Sequence, residues 1–200
     1  MTEAVLTPDR ILDATEQVLT RHGPAKANVV DVARVLGVSH GTVYRHFSSK
    51  AALRDAVTER WLHRVSSPLG KIVEEDAPAA ERLRRWFDTL IAIKREKARA
   101  EPELFATYHA IVSESREVVH AHVEELSGQV GAIIADGIAR GEFVACDAAA
   151  TGKALFYATG RFHDPSYASE WSDPGLDAVF DDLWSVLIRG LVADKAGTPA

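Results

Sequence analysis

Apolar positions recur along this chain at spacings of three and four residues, and no stretch of useful length alternates as a strand would. The pattern predicts an all-α protein of about nine helices. A first helix opens at Thr7-Pro8-Asp9, where a hydroxyl caps, a proline suits the first turn and an acid meets the helix N-terminus. Its inner face is Ile11, Ala14, Val18 and Leu19, and Gly23-Pro24 ends it. Asn28 is a good cap for a second helix, which turns Val29, Val32, Ala33 and Leu36 inward and stops at Gly37. Ser39 caps a short third helix ending near Phe47. Ser48-Ser49 opens a fourth, which runs through Leu53, Val57 and Trp61 towards Val65. Pro68 and Gly70 are expected to break the chain there, dividing it into residues 1–66 and 67–200.

Five more helices are expected beyond that boundary. One spans about Pro78 to Arg99, with Leu83, Trp86, Phe87, Leu90 and Ile93 on one face. A short one after Pro102 carries Leu104, Phe105, Tyr108 and Val112. A long one from near Ser115 to Arg140 aligns Val119, Val123, Leu126, Val130, Ile133 and Gly137, and Gly141 closes it. Asp147 caps the next, with Leu155, Phe156 and Phe162. Pro165 and Pro174 bound an irregular connector, and a last helix runs from about Gly175 to Val192. The tail Gly197-Thr198-Pro199-Ala200 is expected to fray.

Composition narrows the class. The chain has 200 residues, 46% apolar and 26% charged, enough for a packed core. No window holds the roughly 20 apolar residues of a membrane span. The opening MTEAVLTPDR lacks the order of a signal peptide. The single cysteine, Cys146, excludes an internal disulfide and a cysteine-cluster metal site. A cytoplasmic location, with no membrane partner, is the expectation. The net charge of −6 argues against binding DNA until its distribution is considered. Up to Arg64 there are 9 basic and 7 acidic residues, so the acidity resides in the remainder. Between Lys26 and Lys50 the bases are Lys26, Arg34, Arg45 and Lys50, with His40 and His46, against the single acid Asp31. That asymmetry fits a nucleic-acid module on a body that does not bind it.

The segment Val29 to Phe47, VVDVARVLGVSHGTVYRHF, has the spacing of a helix-turn-helix. Ala33 is small where two helices cross, and Gly37 four residues later supplies a turn of positive φ. Val32, Leu36, Val38 and Val43 fill a small core, which leaves His40, Gly41, Thr42, Tyr44, Arg45 and His46 to face outward. A buried-core explanation covers the valines but not this row of donor-bearing residues. From Ile11 to Trp61 the chain resembles the TetR family of transcriptional regulators, most closely over Gly37-Val38-Ser39-His40-Gly41-Thr42-Val43-Tyr44-Arg45-His46-Phe47-Ser48-Ser49-Lys50.

The resemblance implies a three-helix DNA-binding domain followed by a helical ligand-binding and dimerisation domain. It implies a homodimer on a palindromic double-stranded operator, released by a small-molecule effector of unknown identity, with repression the family default. Thr42 and Tyr44 would meet the DNA, Tyr44 at a phosphate, and Lys50 would hold a phosphate at the start of the fourth helix. His46 is placed for the backbone and Asn28 for a phosphate, and Ser39 and Gly41 are candidates on the same DNA-binding surface. Arg45 is the candidate for reading a base, with a phosphate as its alternative. His40 stands where a lysine is frequent, and Val30 where a polar residue is frequent.

Two features mark the acidic body. Leu176, Val179, Phe180, Leu183, Trp184, Leu187, Ile188 and Leu191 form a band wider than one neighbour requires, and small residues crowd Ala148–Ala154 and Ala158–Gly160. Leu155, Val179, Leu183, Trp184, Leu187 and Ile188 are therefore candidates for a two-fold interface, the alternative being a thick monomeric core. Trp86, Phe87, Leu90, Phe105, Tyr108, His109, Phe156 and His163 are candidates for an apolar ligand pocket, with Tyr108, His109 and His163 as polar anchors. His120 and His122 are spaced to diverge on a helix, and Cys146 lacks a cationic setting. No cofactor, metal site or catalytic constellation is expected. A helical enzyme or a protein-interaction module without DNA binding is the alternative reading, which the donor-bearing third helix disfavours.

Overall fold

The computed structural model describes residues 6–26, 28–112 and 114–193, without the side chains of residues 24–26. The Lys26 side chain and the tail Gly197–Ala200 named above lie outside them. The chain is all-α. Its helices are α1 (Pro8–Lys26), α2 (Val29–Leu36), α3 (His40–Tyr44), α4 (Lys50–Val73), α5 (Ala79–Ala100) and α6 (Pro102–Val112), then α7 (Arg116–Ala139), α8 (Ala148–Ala158), α9 (Gly160–His163) and α10 (Leu176–Arg189), with a 3-10 helix at Pro165–Glu170. The sole β feature among the described residues is a one-pair antiparallel bridge, Phe143 with Val192.

The chain folds as two compact units. One comprises Met1–Arg64 with Lys97–His122, the other Val65–Glu96 with Val123–Ala200. Helices α4, α5 and α7 therefore contribute to both, and the packing assigns residues 97–122 to the N-terminal unit, whereas the sequence pattern placed them in 67–200.

In the N-terminal unit, Ile11, Ala14, Val18 and Leu19 of α1 meet Val29, Val32 and Ala33 of α2, Val43 of α3, Leu53 and Val57 of α4, and Ile111 of α6. The helix starts follow the capping chemistry. Asn28 accepts from the Asp31 amide at 3.0 Å, and Ser39 from the Thr42 amide at 3.1 Å. Ser49 accepts from the Ala52 amide at 3.0 Å. Gly23 has φ 68°, which interrupts α1 where its end was expected.

Pro68 does not break α4, contrary to expectation; the helix continues to Val73. A proline inside a helix costs about 3 kcal/mol. Val65, Leu69 and Ile72, all buried, line one face of these last turns. Each contributes about 1.5–3 kcal/mol by burial, which outweighs the proline.

The C-terminal unit is built on Leu83, Trp86, Phe87 and Leu90 of α5, packed with Leu126, Val130, Ile133 and Ile134 of α7, Leu155 and Phe156 of α8, and Leu176, Phe180 and Trp184 of α10. Arg82 is buried among them and donates to the Val73 carbonyl at 2.9 Å and to Asp136. The run expected as one helix after Asp147 is two, α8 and α9. Thr159 leaves the helical region at φ −92°, ψ 4°, while its hydroxyl donates back to the Leu155 carbonyl at 2.9 Å. The connector after Pro165 is ordered as the 3-10 helix, capped by Asp164.

His163 is buried at the end of α9, its Nε2 3.3 Å from the Phe156 carbonyl and 3.2 Å from the Thr159 hydroxyl. Burial first, and the Lys94 charge second, push its pKa down to about 4. The unfolded imidazole, near 6.5, takes up a proton that the folded one refuses until about 4. Its contribution is therefore whole above the unfolded pKa and is lost as pH falls towards the folded one. Urea midpoints measured between pH 7.5 and 4.5 should fall more steeply for the natural chain than for His163→Gln, by up to about 2–3 kcal/mol across the window. Parallel slopes would show that the buried imidazole does not govern this range.

Helices α7 and α8 approach at Gly131 and Gly152. A Cβ on Gly152 would lie 2.6 Å from the Gly131 nitrogen, whereas one on Gly160 meets nothing within 4 Å. Gly152→Ala should lower stability by about 1–3 kcal/mol. Gly160→Ala should be neutral or raise it by about 0.4–1 kcal/mol. Equal denaturation midpoints for the two variants would mean that α7 and α8 do not cross at this distance.

Candidate nucleic-acid interface

A five-residue helix has no stability of its own in water, so α3 takes its orientation from what holds it at each end. Before it, Gly37 adopts φ 68°, ψ 27°, a left-handed conformation that a Cβ disfavours, and Val38 donates to the Ala33 carbonyl at 3.0 Å. Beneath it, Val43 is 1% exposed in the core. The Ser39 hydroxyl, which caps α3, also lies 2.9 Å from the Thr42 hydroxyl.

With Val43 turned inward, His40, Gly41, Tyr44, Arg45 and His46 are exposed, as is Ser39, and Thr42 is half-buried. Tyr44 is 43% exposed, and its ring meets His40 edge-on at 6.4 Å. Asn28 is exposed at the start of α2 and Lys50 at the start of α4. All nine residues expected at a DNA surface thus belong to the N-terminal unit, and none is part of its core. On α2, Val30 is 53% exposed and the charge of Arg34 is matched by Asp31 at 2.6 Å. The outward surface of α2 is therefore apolar or neutralised, whereas α3 carries donors.

Long-range contacts brace this unit. Arg60 and Arg64 of α4 reach α1, each at 2.8 Å, to Asp13 and Glu16 respectively. Arg54 pairs with Glu114 at 2.8 Å, and Ser115 donates to Asp55 at 2.7 Å. Trp61 stacks on Tyr108 with centroids 4.6 Å apart and planes 9° from parallel. Burial above all, and then Glu16, raise the Tyr108 pKa, so its hydroxyl stays protonated beside the Arg64–Glu16 pair. No local pattern announces these braces, because their partners lie about fifty to sixty residues apart in sequence.

The residues expected around a ligand are divided between the units. Phe105, Tyr108 and His109 belong to the N-terminal one, where Phe105 and Tyr108 are buried and His109 is exposed. Trp86, Phe87, Leu90, Phe156 and His163 belong to the C-terminal one. Trp86 donates to the Gln129 amide oxygen at 2.9 Å and meets Phe87 and Phe156 edge-on. Phe156 lies 4.7 Å from the His163 ring.

The residues expected at a two-fold interface also differ among themselves. Leu155 is buried within its own chain, and Trp184 packs on Phe87 and Phe180. Leu183, Leu187 and Ile188 are half-buried, Val179 is 45% exposed, and Val186 on the same helix is 62% exposed. Among the small residues of α8, Gly152 is used within the chain, and Ala149, Ala150 and Ala154 remain exposed. Among the described residues, no helix is long and apolar enough to cross a membrane, and no group of His, Cys, Asp and Glu is arranged to hold a metal ion.

Comparison with known proteins agrees with this architecture. The model for bacterial regulatory proteins of the tetR family matches residues 11–57, and that for the tetracyclin repressor-like C-terminal domain matches residues 79–184. An uncharacterized HTH-type transcriptional regulator of Mycobacterium tuberculosis is 34% identical over 91 residues, 46% of this chain and 45% of that protein. The match thus spans under half of that relative's length. The structure of SmeT, the repressor of the Stenotrophomonas maltophilia multidrug efflux pump SmeDEF, superposes with a TM-score of 0.68 at 20% identity, covering 98% of this chain and 95% of SmeT. FadR from Bacillus subtilis in complex with stearoyl-CoA gives a TM-score of 0.62 at 19% identity, covering 92% of this chain and 99% of FadR. These two likenesses are of fold. With both of its domains matched by the corresponding models, the chain belongs to the tetR family of bacterial regulatory proteins.

Proposed function

We propose that this protein is a sequence-specific transcriptional repressor of the cytoplasm, not an enzyme, which binds a palindromic operator as a homodimer and leaves it when a small apolar or aromatic molecule binds. The observation that carries the reading is the exposed donor row of α3 beside Lys50, on a helix whose orientation is set by Gly37, Ser39 and Val43. In the proposed complex Tyr44, His46, Asn28 and Lys50 contact phosphates, with Ser39, His40, Gly41 and Thr42 along the same surface. Arg45 reads a base. Its nearest partner, the Thr42 hydroxyl at 3.5 Å, is a weak one that a guanine edge replaces readily.

One α3 covers too little DNA for tight specific binding, so two are needed. We place the dimer contact on α8 and α10, through Val179, Leu183, Leu187 and Ile188, with Leu155 and Trp184 supporting that face from within. Effector recognition is placed in the C-terminal unit, at Trp86, Phe87, Leu90, Phe156 and His163. The neutral imidazole of His163 and the Thr159 hydroxyl supply the polar groups there. Tyr108 acts instead as a brace on α4 through Trp61. SmeT and FadR, as a repressor and as a protein bound to an acyl ligand, support the reading by analogy.

Removing the Tyr44 hydroxyl, or Lys50→Ala, should weaken binding to every DNA sequence alike. Lys50→Ala should also lower the slope of log affinity against log salt by about one, the value for a single phosphate, whereas loss of the uncharged Tyr44 hydroxyl should leave that slope unchanged. Arg45→Ala should instead lose discrimination at one base per half-site, about 1–3 kcal/mol in competition gel shifts. If it weakens specific and random DNA equally, Arg45 is a phosphate residue.

Leu183→Arg and Leu187→Arg place charge on the proposed dimer face, and light scattering should find monomers that no longer bind the operator. Two well-folded dimers would move the interface elsewhere.

A further inference from the structure

A cavity of about 660 Å³ lies within the N-terminal unit, and none of the residues assigned to the effector lines it. Pockets that hold drug-sized molecules have volumes of roughly 300–1,000 Å³. Its floor is apolar: Leu19 of α1, Val29 and Val32 of α2, Leu53 and Val57 of α4, and Ile111 of α6. These core residues keep at most 6% of their surface accessible, so the cavity is an open hollow over the core between α2 and α4.

The rim has a different chemistry. Asn28, Lys50, Ala51, Ala110 and Glu114 line the same cavity and are exposed, which places them at its opening. Glu114 is matched by Arg54 at 2.8 Å, and Arg54 also pairs with Asp55 at 3.3 Å. One guanidinium therefore serves two carboxylates, Glu114 at the rim and Asp55. Lys50 has no ion pair among the described residues, so its exposed ammonium is available to a further anion. The Asn28 amide oxygen is taken by the Asp31 amide, which leaves its NH₂ group as a donor. An apolar interior with a cation and an amide donor at the mouth suits an apolar body ending in an anion, and neither a cation nor a wholly apolar molecule uses both parts.

We propose that this cavity is a second effector site, which takes an amphipathic organic acid with its apolar body between α2 and α4 and its carboxylate at Lys50 and Asn28. The consequence for DNA rests on the function proposed above, which assigns the same two groups to phosphates. A bound acid occupies them directly and holds apart the two helices that flank the recognition element. Release then needs no change in the spacing of two half-sites.

Octanoate and octan-1-ol, which share an apolar body, are suitable probes for the full chain labelled at Ile, Leu and Val methyl groups. Octanoate should shift the methyl resonances of Val29, Val32, Val57 and Ile111 saturably. Lys50→Met should weaken octanoate about fivefold, as expected for one partly exposed ion pair, and leave octan-1-ol unchanged. Ala110→Phe, which narrows the opening without touching a proposed DNA contact, should abolish both sets of shifts while ligand-free DNA affinity stays at the natural value. Its natural DNA affinity, with unchanged methyl resonances of Ile11 and Val18 in the core of the same unit, would confirm that it folds.

Saturable shifts confined to other residues overturn the site. Equal weakening of acid and alcohol by Lys50→Met overturns the placing of the carboxylate. Octanoate that saturates the cavity without loosening random or operator DNA overturns the competition. A chain that binds octanoate at these methyls but never binds DNA overturns the function proposed above and leaves the site standing.

Discussion

The N-terminal unit depends on holding a helix too short to hold itself. Isolated helices need about 12–15 residues to persist in water, and α3 has five. Gly37 turns the chain into it with a left-handed backbone, the Ser39 hydroxyl caps its first turn, and Val43 ties its underside to the core formed by Ala33, Val32 and Leu53. Because a single residue of α3 is buried, the rest of it is available to a partner. Economy of burial and exposure of donors are the same fact.

The core that holds α3 is itself held by contacts distant in sequence. Helix α6 lies along α1, and Tyr108 stacks on Trp61 of α4. Arg60 and Arg64 tie α4 to α1 through Asp13 and Glu16. Exposed ion pairs of this kind contribute about 0–1 kcal/mol each. The buried aromatic stack is therefore the larger part of this bracing, and the arginines set direction more than strength. It also explains why residues 97–122 pack with the N-terminal unit.

Much of the helix-turn-helix was legible because its determinants are local. A cap acts on an amide three residues away, as at Asn28, Ser39, Ser49 and Asp147, and each forms as expected. A positive-φ glycine acts on its own backbone, as at Gly37 and Gly141. The apolar spacing of Ile11, Ala14 and Val18 is a property of one helix. The errors were of another kind. Pro68 reads as a break, but Val65, Leu69 and Ile72 have buried surface to defend. The helix after Asp147 reads as continuous, but the Thr159 hydroxyl bonds backward and His163 closes on it.

The sequence by itself determined the class of the fold, the position of α3, the residues on its outer surface and the separation of basic from acidic segments. Each follows from interactions within a few residues along the chain. Only the tertiary structure decided which aromatic residues share a core. Tyr108 joins Trp61, while Phe87 and Phe156 meet His163 and Trp86 packs on both of them. It also decided that Gly152 serves a contact with α7 inside the chain, and that Asn28 and Lys50 share the rim of one cavity. Apolar periodicity states that a residue is buried, but not against what, because burial free energy follows area removed from water and is indifferent to the partner. The choice of partner comes from shape and from paired polar groups, which exist only once the helices have met.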